Sequence, residues 1–127
     1  MVKLKTARQK GSQFELDCEA SLKRIFFDLK RLYGEGMYRG FDLETKNFLK
    51  VFECKRHKNF SWNELIKYYN KLKERAGNKQ PFLLFKSNRQ PVLVMYEDYE
   101  SILVRPFEDV FKIDFIKHKF RKNDKII

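Results

Sequence analysis

The chain is short of the residues that build stapled or metal-held folds. It has 127 residues, of which only two are cysteine and two are histidine. Cys18 and Cys54 form no CxxC pair and have no second cysteine or paired histidine nearby, and His57 and His118 stand alone. This favours reduced thiols used as small apolar residues over a disulfide or a zinc centre. Glycine and proline are also sparse, five and three. No Gly/Ser linker, repeat or low-complexity block divides the chain, which reads as one domain over residues 1–127. Long apolar runs are missing. The longest, Phe82–Phe85 and Val92–Tyr96, are strand-sized, so nothing reads as a membrane span. The start MVKLKTARQKG has no apolar h-region, and a cytoplasmic protein is expected.

Acid is scarce relative to base: Lys and Arg number 28 against 17 Asp and Glu, a net charge of +11. Such a field attracts polyanions, and nucleic acid is the commonest one in a cytoplasm. Generic basic character or ribosome association is the bland alternative, and charge alone names no activity. Hydrophobic residues at 43% exclude a disordered chain.

A basic N-terminal arm, residues 1–10, carries Lys3, Lys5, Arg8 and Lys10. Phe14, Cys18, Leu22, Ile25, Leu29 and Leu32 then form one helical stripe, which Gly34 and Gly36 end. Strands are expected at Met37–Leu43 and Phe48–Lys55, joined by a turn at Glu44–Asn47. A second helix begins after Ser61, with Ser61 and Glu64 as a capping box. Trp62, Leu65, Ile66, Tyr69, Leu72 and Ala76 share its face, and Gly77-Asn78 stops it. Strands at Pro81–Lys86 and Pro91–Tyr96 flank a turn at Ser87–Gln90. A short helix near Phe107–Phe111 and a basic tail, residues 119–127, complete the chain. The order α-β-β-α-β-β predicts an α/β domain, a mixed central sheet flanked by helices.

The stretch Val51-Phe-Glu-Cys-Lys-Arg-His57 puts an acid and a base into a strand. Period-two geometry points Leu49, Val51, Glu53 and Lys55 one way and Phe48, Phe52 and Cys54 the other, the latter reading as the core face. A hairpin at 44–47 would fold Asp42 back towards Glu53, although the eleven-residue separation leaves the register open. Two carboxylates and the Cys54 carbonyl near one point make a hard-oxygen site suited to Mg²⁺. An ammonium beside it, Lys55, suits phosphodiester hydrolysis, which needs a held water and a positive group. The competing reading of Glu53 and Lys55 is an ion pair on a solvated face, worth tenths of a kcal/mol.

Asp42 with Glu53-Cys54-Lys55 resembles the acid and ExK motifs of the PD-(D/E)xK nuclease superfamily, whose core is restriction-endonuclease-like. Within it the chain is most similar to the archaeal-type Holliday-junction resolvases, which also occur in viruses. Lys10-Gly-Ser-Gln-Phe-Glu15 resembles their KGxxFE, Phe41-Asp42 with Phe52–Lys55 their acid and ExK, and Pro81–Lys86 the strand after their helix. The likeness covers residues 8 to about 96. It implies a catalytic set of Glu15, Asp42, Glu53 and Lys55, a homodimer, and branched DNA with four-way junctions as substrate. Mg²⁺ would be the cofactor, with Mn²⁺ substituting and no organic cofactor. Asp42, Glu53 and the Cys54 carbonyl would hold the metal and Glu15 would assist through water; the location would be a nucleoid or a host-cell cytoplasm.

The chain departs from the family pattern where Phe41 replaces the usual proline and Arg39 a nearby serine, with Tyr38 or Arg39 as stand-ins. Glu15 has a competing explanation, a Ser12–Glu15 capping box. Asp17 and Glu19 are expected in solvent. Arg8, Lys10, Arg39, Arg56, Lys58 and Arg89 are candidate DNA contacts, with Lys67, Lys71 and Lys119–Lys122 as further phosphate contacts. Trp62 and Tyr69 read as core or dimer contacts. Val92–Tyr96 with Tyr99, Ile102, Leu103 and Phe107 is the expected dimer surface. Two other functions fit the residues: a related nuclease cutting flap, duplex or single-stranded DNA, and a basic nucleic-acid-binding protein without catalysis.

Overall fold

Thr6 sets where the chain first becomes helical. In the computed structural model, which describes residues 6–32 and 41–117, its hydroxyl accepts from the Gln9 amide at 3.2 Å. The Gln9 side chain in turn accepts from the Thr6 amide at 2.9 Å. This reciprocal cap starts helix α1, Ala7–Leu22. Residues 7–10 of the expected arm are therefore helical. The Ser12–Glu15 cap is overturned, because both residues lie inside α1.

Phe14, Cys18 and Leu22 are buried as the stripe requires, yet the helix stops ten residues before Leu32. The Lys23 amide closes on the carbonyls of Glu19 and Ser21, and turns carry Phe26 and Leu29 inward. Asp28 fixes this turn segment: its carboxylate accepts from the Asn47 amide at 2.8 Å and from the Thr45 hydroxyl. The stripe survives as burial without helix. Gly34, Gly36 and Met37–Gly40 lie outside the described residues.

Strand β1 (Lys30–Arg31), absent from the sequence reading, pairs antiparallel with β2 (Leu43–Thr45). β2 pairs antiparallel with β3 (Lys50–Arg56). The turn falls at 46–49 instead of 44–47, with Leu49 left-handed at φ 54°. Phe48 thus leaves the core face expected of it and lies exposed in the turn, edge-on to Phe26 and Phe27.

Helix α2 (Trp62–Ala76) starts at the Ser61–Glu64 capping box and ends at Gly77, whose φ of 64° favours glycine. It is the crossover that lets β4 (Gln80–Lys86) join β3 in parallel. β5 (Leu93–Asp98) and β6 (Ser101–Pro106) complete an antiparallel hairpin. β5 begins two residues later than expected, and β6 was not anticipated. The hairpin loop is Tyr99-Glu100, both residues at positive φ (49° and 67°), the geometry of a type I′ turn. No Asn-Gly marks it in the sequence. Helix α3, Phe107–Phe111, forms as expected.

The six strands run in chain order, and every neighbouring pair is antiparallel except β3–β4. α1 and α3 cover one face, burying Phe14, Cys18 and Phe107 against Phe52, Cys54, Phe82 and Leu84. α2 covers the other, packing Leu65, Tyr69 and Leu72 on Val51, Leu83, Phe85 and Met95. Val51 and Phe52 are thus both fully buried, one on each face, as a two-sided sheet demands. The α/β expectation, a mixed sheet flanked by helices, holds. Among the described residues no helix is long and apolar enough to cross a membrane.

Candidate active site

Register brings the acidic residues together. Leu43 pairs with Phe52 and Glu44 with Val51, so one step along the same ladder sets Asp42 level with Glu53. The Asp42 amide donates to the Phe52 carbonyl at 2.9 Å, and Asp42 Oδ2 accepts the Cys54 amide at 2.8 Å. This side-chain bond clamps the Asp42 carboxylate onto β3.

Glu53 and Lys55 project on the face that α2 covers, the face of Val51, and not on the solvated face that the competing ion-pair reading supposed. Lys55 Nζ lies 3.4 Å from Glu53 Oε1 and 5.0 Å above the ring of Tyr68 on α2. Glu15 arrives from α1 and pairs with Arg31 Nη2 of β1 at 2.9 Å.

The carboxylates share one field. Burial raises the Asp42 carboxyl from its ordinary 3.8 to about 7; the Cys54 amide opposes the rise, and the charges of Glu15 and Glu53 add to it. Burial also raises Glu53, against the pull of Lys55 and of Arg75 from α2. Glu44, two residues beyond Asp42, is buried and ion-paired with Lys79 at 2.9 Å.

Asp42 and Glu53 form a cluster carrying more negative charge than its buried surroundings favour, which suits a cation. Among the described residues no three His, Cys, Asp or Glu side chains are arranged to hold an ion. The oxygens available to such an ion would be those of two carboxylates, with the Cys54 carbonyl and water to complete a shell. That oxygen set suits Mg²⁺, which takes one or two carboxylates and keeps several waters. Glu15, engaged by Arg31, would reach such an ion only through water.

Of the expected DNA contacts, Lys58 and Arg89 are exposed in the loops after β3 and β4, and Lys10 is half-buried on α1. Arg56 ends β3 and donates through Nη2 to Asn88 Oδ1 at 3.0 Å. The Arg8 side chain, Tyr38, Arg39 and residues 119–122 lie outside the described residues. Asp17 does not sit in solvent: it is 7% exposed and accepts from Gln13 Nε2 at 2.9 Å. Glu19 is half-buried and pairs with Lys23 at 3.4 Å. Tyr69 is core, whereas Trp62 is not, at 56% exposed. Cys18 and Cys54 are free and buried. Burial pushes the Cys18 thiol up, and its hydrogen bond with Cys18 pushes Cys54 higher still.

Arg31, Tyr68 and Arg75 escaped the sequence reading. Arg31 sits in a two-residue strand with no pattern to mark it. Tyr68 and Arg75 lie off the apolar stripe of α2, where polar and aromatic residues ordinarily meet solvent. No family model, no curated protein and no solved structure matches this chain.

Proposed function

We propose that the protein is a Mg²⁺-dependent, structure-selective DNA endonuclease that resolves four-way junctions by paired nicks as a homodimer. The observation that supports this most is the placement of Asp42 level with Glu53, with the Lys55 ammonium 3.4 Å from Glu53. The strongly basic composition fits a phosphodiester substrate.

Asp42, Glu53 and the Cys54 carbonyl would hold the cation, which would supply an activated water and offset charge on the phosphate. Lys55 donates to the attacking water, orients it towards phosphorus and balances charge that develops on the phosphate oxygens. Tyr68 holds the Lys55 ammonium over its ring and limits its rotamers. Arg31 orients Glu15 towards the cluster and shares its charge. A two-fold dimer would place two such sites for matched cuts on opposed strands.

Purified protein incubated with labelled four-way, flap and duplex DNA, with and without Mg²⁺, tests the reading. Symmetric nicks in the junction that require the metal are expected. Metal-dependent cutting without junction preference would move the activity to flap, duplex or single-stranded substrates. Absence of cutting would leave a basic binding protein.

A further inference from the structure

At the far end of β3 the sheet gathers positive charge that the carboxylate site does not use. Arg56 and Lys86 are direct partners in the parallel ladder, at the last positions of β3 and β4. They share the α1 face with Phe52, Cys54, Phe82 and Leu84, opposite Glu53 and Lys55. The charges of Arg56 and of Lys117, from the segment after α3, both act on Lys86. None of the three pairs with a carboxylate of the described residues.

Two further observations show that this is not an ordinary solvated lysine patch. Arg56 Nη1 is buried and has no acceptor, an uncommon and costly condition for a guanidinium N–H. The loops behind it are fixed, with His57 N donating to Lys86 O and Asn88 N to Lys58 O, both at 3.3 Å. Asn88 also holds Arg56 Nη2. Setting Lys117 beside Arg56 and Lys86, both half-buried and Arg56 braced, gathers like charge, which is unfavourable unless an anion completes the group.

The orientation of α1 adds to the field. Cys18 meets Cys54, and Phe14, one turn earlier in α1, packs on Phe115 beside Phe107, whose amide bonds Val92 at the Lys86 end of the sheet, so the helix N-terminus lies towards this end. The positive end of its dipole thus points the same way as the three side chains.

We propose that Arg56, Lys86 and Lys117 hold one phosphate of the DNA backbone, on the opposite face of the sheet from Glu53 and Lys55. An oxyanion seated there supplies the acceptor Arg56 lacks and lets two ammonium groups share its remaining oxygens. The assignment rests on reading this chain as acting on DNA. Its role is to fix the strand's position beside the carboxylate site, so it carries no sequence preference.

The test is the salt dependence of DNA binding by the full chain, in chelator, between about 50 and 200 mM salt. One phosphate held by three cations predicts that Arg56→Gln/Lys86→Gln/Lys117→Gln, which leaves it no cation, lowers the log–log slope by about 1, with roughly tenfold weaker binding at the low-salt end. Lys86→Arg/Lys117→Arg, which keeps all three charges, leaves both at the wild-type values. An unchanged slope in the triple variant, or a fall of about 2 or more from separate contacts, overturns the proposal. Melting temperature, equal in wild type and both variants, shows that folding is not the cause. Saturable stabilisation of the DNA-free protein by millimolar orthophosphate over matched chloride would assign the site to free phosphate and overturn the backbone assignment. The two readings fail separately. Normal cleavage by Asp42→Asn with the slope change intact removes only the nuclease, and loss of cleavage with an unchanged slope removes only this phosphate site.

Discussion

The Asp42 carboxylate accepts the backbone amide of Cys54 across the β2–β3 ladder at 2.8 Å, and thereby stands beside Glu53. One oxygen is used to hold the side chain in place. On the proposed function the other would meet the ion, so that structural and chemical roles would divide between two atoms of one group.

Asp42→Asn and Glu53→Gln are each expected to lower Mg²⁺-dependent cleavage by at least about a hundredfold, since each removes a ligand charge that positions the cation. Junction affinity in chelator should stay level or rise, because negative charge facing phosphate is lost. Gel-shift and cleavage assays on the same preparations decide it; wild-type rates in both variants would place the site elsewhere.

The Asp42 carboxyl also makes metal-free stability depend on pH. Unfolded, it releases its proton near 3.8; folded, it keeps it to about 7. In that window the folded chain binds more protons, so stability falls as pH rises from about 4 to 7 and then levels off. Above pH 7 the loss attributable to Asp42 is as much as roughly 4 kcal/mol. Asp42→Asn keeps an acceptor for the Cys54 amide and removes the titration. Its melting temperature should exceed the wild type's by a margin that widens from pH 5 to pH 8. Mg²⁺ should narrow the margin by stabilising the wild type. A margin that does not change with pH would contradict the burial argument.

Glu15→Gln separates a positioned acid from a structural one. The capping explanation is gone, and the remaining tie to Arg31 is a partly exposed ion pair worth about 1 kcal/mol or less. Cleavage should fall by roughly tenfold or more, while the melting temperature moves by a few degrees at most. Activity near wild type would remove Glu15 from the site.

Tyr68 provides a cleaner probe of Lys55. Tyr68→Phe keeps the ring under the ammonium and should cut nearly normally, whereas Tyr68→Leu should lose about five- to tenfold, a contact of about 1 kcal/mol. Equal losses in both would point to the hydroxyl instead.

In the β5–β6 loop, Tyr99→Asn/Glu100→Gly should stabilise the protein by about 1 kcal/mol, because both native residues occupy left-handed backbone. Thermal melting measures this, and DNA affinity should not move.

Legibility in the sequence followed how local each determinant was. The α2 boundaries could be read because Ser61, Glu64 and Gly77 act on their own neighbours. The Asp42–Glu53 pairing was visible only as a likelihood of proximity. Its register depends on Leu49 turning left-handed and on Asp28 bridging to Thr45 and Asn47, contacts that cross 17 and 19 residues. β6 was missed because its turn is built from a tyrosine and a glutamate, which carry no hairpin signal. The Leu22 helix end was missed because Ile25, Leu29 and Leu32 keep helical spacing and stay partly or fully buried after the helix has stopped.

The parallel pairing of β3 with β4 bears on how the protein is made. The pairs β2–β3, β4–β5 and β5–β6 join chain neighbours through short turns, but β3 must wait for α2 and Gln80–Lys86 before its second edge is covered. During synthesis, Lys50–Arg56 therefore exists for a time as an open edge with fully buried-type residues such as Val51 and Phe52 exposed. Such an edge is a template for pairing with another chain. A fragment ending before Gln80 should accordingly aggregate through the very strand that later carries Glu53 and Lys55.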